Sequence, residues 1–271
     1  MSGKDRKKQL ARQRYERQQQ RRDAQERQAR RVKVIGGVTA VVLLGGAGAG
    51  VAVAMSGDGK TKPEKTGAAA TPTATAAPVV KPGECGYLAS ADQGAPKGLG
   101  KPPVKPAYKG TVAATIKTSL GDVAVSLDAA KAPCAVGSFA FLAQKNYFHN
   151  TQCHRLTTGS LQVLQCGDPT GSGSGGPGYR FANENTTGAK YTRGVLAMAH
   201  SQQPDSNGSQ FFIVYGDSKD LPADYTVFGK VTSGLDVIDQ VAKAGPDNSN
   251  GAGDGKPKKK IEINDVTITK K

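Results

Sequence analysis

Asn207-Gly208-Ser209-Gln210-Phe211-Phe212-Ile213 is a polar run that turns abruptly apolar, and it lies 52 residues beyond the pair His154-Arg155. Side chains on a strand point alternately to its two faces, so Gln210 and Phe212 share one face and Phe211 and Ile213 the other. Such a run makes an apolar surface carrying an amide, and Arg155 is the guanidinium that addresses it. No nucleophile, metal cage or phosphate loop accompanies the pair. The chemistry it points to is conformational and breaks no covalent bond.

Around this run, residues 109–271 read as one compact domain, long enough for a single core. Thr111 to Thr118 and Asp122 to Leu127 are β-rich, with Val123, Val125 and Leu127 alternating and Ser119 to Gly121 turning the chain, which predicts a hairpin. Pro133 suits the first turn of a helix whose Val136, Phe139, Ala140 and Ala143 fall at helical spacing. A second helix carries Leu235, Ile238, Val241 and Ala242, opens near Ser233 and ends at Gly245-Pro246. Short strand-like runs lie between the helices at 153–156, 163–165, 194–199, 211–214 and 226–231, and 261–269 closes the chain with a bulge expected at Asn264-Asp265. Many short antiparallel strands with two helices suggest a closed barrel with helices over its openings.

His154-Arg155-Leu156, Leu164-Gln165-Cys166-Gly167-Asp168, Gly194-Val195-Leu196-Ala197-Met198-Ala199, Asn207 to Ile213 and Val227-Phe228-Gly229-Lys230-Val231 resemble, in order, the motifs of the cyclophilins, the cyclosporin-binding class of peptidyl-prolyl cis-trans isomerases. The similarity runs from about Thr111 to Ile268, and the chain looks like a membrane-anchored bacterial form of that family. The resemblance implies a mainly β fold, a closed eight-stranded antiparallel barrel capped by two α-helices, with a proline-binding groove on its outer face. It implies Arg155 as the catalytic residue, with Met198, Phe212, Leu221 and Tyr225 walling the proline pocket beside Val163. Gln165 and Gln210 would orient Arg155 and hold the substrate backbone, and Ala199 and His200 would line the groove. The implied partners are proline-containing polypeptides, met by a monomeric domain without cofactor or metal. The alternative is a peptide-binding module or chaperone of the same fold with little turnover.

The chain departs from the family pattern in places. Gln162 stands where a pocket-wall Phe is usual, Asp220 where a loop aromatic is usual, and His200 where Asn is usual. Weaker contact with the proline ring follows, and cyclosporin binding is expected to be weak. Gly171 to Gly178 is not a phosphate loop, because no Lys-Ser/Thr follows it, and reads as a flexible turn.

The rest of the chain sets the context. The formal charge of +15 resembles a nucleic-acid binder, but residues 1–33 hold a net of about nine of those charges, so the basicity belongs to a tail and no nucleic-acid partner is expected. Residues 34–55 are uncharged and apolar, long enough to span a bilayer, and a basic flank stays in the cytoplasm. The reading is a single-pass cell-membrane protein with residues 1–33 inside and the catalytic domain outside. A cleavable signal peptide is the competing reading, since Ala52-Val53-Ala54 resembles a cleavage site. Residues 56–108 hold 8 of the 15 prolines and read as a disordered linker. Cys85, Cys134, Cys153 and Cys166 all follow the apolar stretch, which predicts disulfides in any of three connectivities. A zinc site or a cysteine nucleophile among them is the weaker alternative.

Overall fold

The structure is a computed structural model and describes residues 80–203 and 205–269. The tail, the apolar stretch and the first part of the linker lie outside the described residues. Among the described residues no helix is long and apolar enough to cross a membrane.

The strands described are β1 Leu88–Ala89, β2 Thr111–Thr118, β3 Gly121–Asp128, β4 Thr151–Gln152, β5 Arg155–Thr157, β6 Val163–Cys166, β7 Tyr179–Arg180, β8 Val195–Met198, β9 Phe211–Val214, β10 Val227–Ser233, β11 Asp254–Gly255 and β12 Glu262–Thr269; the helices are α1 Pro133–Gln144 and α2 Leu235–Ala244. The hairpin β2–β3 pairs from Thr111↔Asp128 to Thr118↔Gly121, so the turn tightens to Ser119-Leu120. The bulge in β12 falls where the alternation slips, with the register shifting between Ile263 and Asp265.

Ten strands form one antiparallel sheet in the order β11-β5-β6-β9-β8-β10-β3-β2-β12-β4. This corrects the expected closed barrel of eight. The ladder is open and curled, and its ends meet through chain continuity. Residues 151–157 pair by their first half with β12 and by their second with β6. Between the halves, Cys153 N donates to Ile261 O at 3.1 Å and His154 N to Gln165 O at 3.0 Å.

The inner face of the curl holds the main core, in which Val125, Leu127, Leu164, Phe211 and Phe228 are buried together. Helix α1 closes one opening by inserting Phe139, whose ring lies 5.4 Å from Phe211 and 5.5 Å from Phe228. Burying one such ring stabilises by about 1.5–3 kcal/mol. Ala132, which precedes α1, has no capping side chain. Glu184 caps the helix from a distance instead, accepting from Cys134 N at 3.1 Å and Ala135 N at 2.8 Å. Burial nevertheless pushes the Glu184 carboxyl upward, against the lowering effect of those two amides.

The cysteines pair as Cys85–Cys134 and Cys153–Cys166. Neither a thiolate nucleophile nor a thiolate zinc ligand remains. Residues 80–108 correct the linker reading, because they pack on the domain as a strap. Cys85 bonds to α1, and Tyr87 wedges between Tyr179 and Phe181 at 5.5 Å from each ring, with its hydroxyl on Cys134 O at 2.8 Å. Proline and glycine content hid a segment that a disulfide, an aromatic ring and the pairing of β1 with β7 hold in place.

Candidate active site

Four side chains stand in a row across adjacent strands, because the register opposes Arg155 to Gln165, Gln165 to Phe212 and Phe212 to Ala197. Residues directly opposed across a sheet project to one face, here the outer one. Val163, Ala197, Phe212 and Val214 are buried there with Tyr191 in a second, smaller apolar cluster. Leu221 and Tyr225 pack against it from the loop that leads into β10. The Tyr225 ring meets Phe212 edge-on at 5.5 Å and stacks on His200 at 4.5 Å.

At the edge of the row, Arg155 is gripped by Asp254 on β11. Its Nε donates to Asp254 Oδ1 at 2.8 Å and its Nη2 to Oδ2 at 2.7 Å, while Nη1 faces Gln165 Oε1 at 3.5 Å. A guanidinium has five N–H donors in a rigid fork, so two remain for a ligand. The Asp254 hydrogen bonds hold the guanidinium protonated, and Arg155 in return keeps the Asp254 carboxyl below its ordinary range. Gln165 Nε2 donates to Gln210 Oε1 at 2.8 Å, and Gln210 Nε2 donates to Gly173 O and Gly175 O at 3.0 and 2.9 Å. Each amide is thereby oriented with its oxygen towards the guanidinium side.

The decisive run divides as strand alternation requires. Phe211 and Ile213 enter the core while Gln210 and Phe212 face outward. Asn207 and Ser209 are structural: Asn207 exchanges backbone hydrogen bonds with Phe181, and Ser209 Oγ donates to Gly167 O at 2.7 Å.

Three expected residues sit differently. Met198 belongs to the inner core and not to the outer cluster, because β8 alternates and sends Leu196 and Met198 inward and Ala197 outward. Gln162 turns away from the apolar face, donating from Nε2 to Gly159 O at 3.1 Å beside Gly216. Leu161, which sequence reasoning passed over, packs on the outer cluster in its place. His200 is a strut as much as a groove wall, its Nδ1 lying 2.7 Å from Ser201 O and its Nε2 3.1 Å from Asp224 O. Asp254 was also missed, and the only sequence signal for it is an acidic residue in the Gly253-Asp254-Gly255 turn.

The family model described as "Cyclophilin type peptidyl-prolyl cis-trans isomerase/CLD" matches residues 113–268, more than half of the chain. The chain belongs to the cyclophilins. A Mycobacterium leprae protein named "Probable peptidyl-prolyl cis-trans isomerase B" is 45% identical over 202 residues, covering 68% of this chain and 66% of the relative. Its Mycobacterium tuberculosis counterpart is 46% identical over 183 residues, covering 62% of this chain and 57% of the relative. This cyclophilin thus spans about two thirds or less of the length of those relatives. A crystal structure of a Cryptosporidium parvum cyclophilin-type isomerase superposes with a TM-score of 0.53 at 33% identity, covering 59% of this chain and 99% of that one. The same Cryptosporidium protein, 34% identical with a TM-score of 0.52, has also been crystallised in the presence of the dipeptide Ala-Pro.

Proposed function

We propose that this chain catalyses cis-trans rotation about X-Pro bonds, with Arg155 as the group that stabilises the twisted imide. The observation that carries the reading is the row Arg155–Gln165–Phe212. It sets a clamped guanidinium beside an apolar outer cluster.

Rotation about an X-Pro bond meets a barrier near ~20 kcal/mol because amide resonance is lost at the twisted state. Lowering that barrier requires holding the ring while the preceding carbonyl turns, and favouring the form in which resonance is broken. Phe212, Val163, Leu161, Leu221 and Tyr225 hold the ring by apolar contact. The two remaining Arg155 donors meet the carbonyl oxygen, or the imide nitrogen as its lone pair localises. Because Asp254 fixes the fork, that donor geometry needs no reorganisation when the bond twists. A differential stabilisation of ~5–7 kcal/mol accelerates rotation ~10⁴–10⁵-fold.

The substrates proposed are unfolded or partly folded polypeptides on the outer side of the cell membrane. The apolar stretch 34–55 behind a basic flank supports an anchored chain with its domain outside, and the two disulfides fit an oxidising compartment. Magnetisation-exchange NMR on an Ala-Pro-Phe peptide with a catalytic amount of the protein tests the activity. Exchange within a second is expected, whereas exchange left at the uncatalysed ~10–100 s refutes it. Protease added to intact cells tests the placement, and protection of the whole chain contradicts it.

A further inference from the structure

The strap 80–108 and the glycine-rich loop 171–178 are tied together at several points. β1 pairs with β7 immediately after the loop, and Ser90 N donates to Gly178 O at 3.0 Å. Asp92 accepts from Gly178 N on Oδ2 at 2.9 Å and from Ser90 Oγ on Oδ1 at 2.6 Å. Gly176 N donates to Gln93 O at 3.2 Å. Asp168, just past β6, grips the same loop from the other side, accepting from Thr170 N at 2.7 Å and Gly173 N at 2.5 Å.

Contact on both sides is close enough to require glycine. A Cβ on Gly175 would lie 1.9 Å from Asp168 Oδ1, and one on Gly176 2.6 Å from Asp92 Oδ2. Five of the eight residues 171–178 are glycine, the residue that loses most conformational entropy on ordering. Without holds on both sides such a loop would not keep two carbonyls in fixed positions. Those carbonyls, of Gly173 and Gly175, take both Gln210 amide hydrogen bonds. Gln210 in turn sets Gln165, whose oxygen faces Arg155. A turned Gln210 amide would point N–H at Gln165 Nε2 and reverse the polarity of the chain that ends at the guanidinium. Ser90 and Asp92 also line, with Gln165 and Gln210, a cavity of about 480 Å³ beside the row.

We propose that the disulfide-anchored strap is a positioning element of the isomerase site, with Asp92 as its contact residue. It acts by holding the glycine-rich loop against Gln210, and so fixes Gln165 and Arg155. The rate readout for this proposal rests on the isomerase reading; the structural readout does not.

The test uses the full chain in detergent micelles, with Asp92→Ala, Asp92→Asn, Gln210→Ala and the double variant Asp92→Ala/Gln210→Ala. Peptide exchange gives kcat and KM, and NMR follows the Gln210 side-chain amide, with backbone amides of α2 reporting that each variant is folded. Asp92→Ala should lower kcat by about three- to tenfold with little change in KM, and should shift the Gln210 amide signals. Asp92→Asn, which keeps an acceptor for Gly178 N, should restore most of the rate. In the Gln210→Ala background, Asp92→Ala should add nothing. Multiplying losses in the double variant, or an Asp92→Ala protein with unchanged rate and unchanged Gln210 signals, overturns the proposal. If the wild type itself shows no catalysis, the isomerase reading fails, and the Gln210 signals alone decide: movement in Asp92→Ala supports the strap's role and constancy refutes it.

Discussion

Asp254 holds Arg155 by both carboxylate oxygens, 2.8 Å from Nε and 2.7 Å from Nη2, although the two residues are 99 positions apart in the chain. The pair is about one third open to solvent, with side-chain exposures of 36% and 27%, so its value as an ion pair is small. Its consequence is geometric, since a bidentate carboxylate locks the plane of the fork and with it the direction of the free donors.

Asp254→Ala should therefore lower kcat/KM by about tenfold, equivalent to ~1.4 kcal/mol of lost transition-state stabilisation, while the melting temperature shifts little. Peptide exchange by NMR and thermal unfolding on the same sample separate the two effects. A large melting shift with an unchanged rate would make Asp254 structural.

The same pair has a defined response to pH. Arg155 depresses the folded-state pKa of Asp254 below its ordinary 3.8, so the contribution is fully present above that value and is lost as pH falls through the lower folded one. Activity should show no Asp254 titration between pH 5 and neutrality, measured by exchange against pH on the wild type and Asp254→Asn. His154 behaves differently. Burial lowers its pKa below 6.5, outweighing the raising effects of Asp168 and Gln210. The unfolded chain then binds the extra proton, and stability should decline as pH falls below about 6.5. Urea unfolding at pH 7.5 and 5.5 checks this, with a smaller decline expected in His154→Phe and an equal one contradicting it.

Leu161 and Gln162 are adjacent and differ in what they touch. Leu161→Ala removes part of the apolar outer cluster and should raise KM about three- to tenfold, the value of roughly one or two buried methylene groups. Gln162→Ala should stay within about twofold of wild type. The reverse pattern would return the pocket wall to Gln162.

Cys153–Cys166 crosslinks residues 13 apart, and both half-cystines are buried in the core. Replacing both by Ala should cost about 3 kcal/mol, read as a lower urea midpoint. No loss of stability on replacement would contradict the crosslink.

Strand and helix periodicity placed most of the fold correctly, because each core element carries its own apolar pattern. The two faces of β9 followed from alternation alone, and the same alternation applied to β8 would have sent Met198 inward. What sequence did not disclose depends on contacts distant along the chain. Asp254 reaches Arg155 only through the pairing of a two-residue strand, and Glu184 caps α1 from about fifty residues away. The strap has a disordered composition and acquires order from Cys85 and Tyr87. Leu161 lies one position before Gln162, where the family pattern places the wall, so only the packing of the folded chain identifies it.

Catalysis is proposed to rest on Arg155. Peptide exchange measured on the wild type, Arg155→Lys and Arg155→Ala tests it most directly, with Gln210 and α2 signals confirming the fold. Arg155→Ala should lose about a hundredfold or more in kcat/KM, and Arg155→Lys should recover little, because a point charge lacks the fork that Asp254 holds. Catalysis by Arg155→Ala within a few fold of wild type would contradict it.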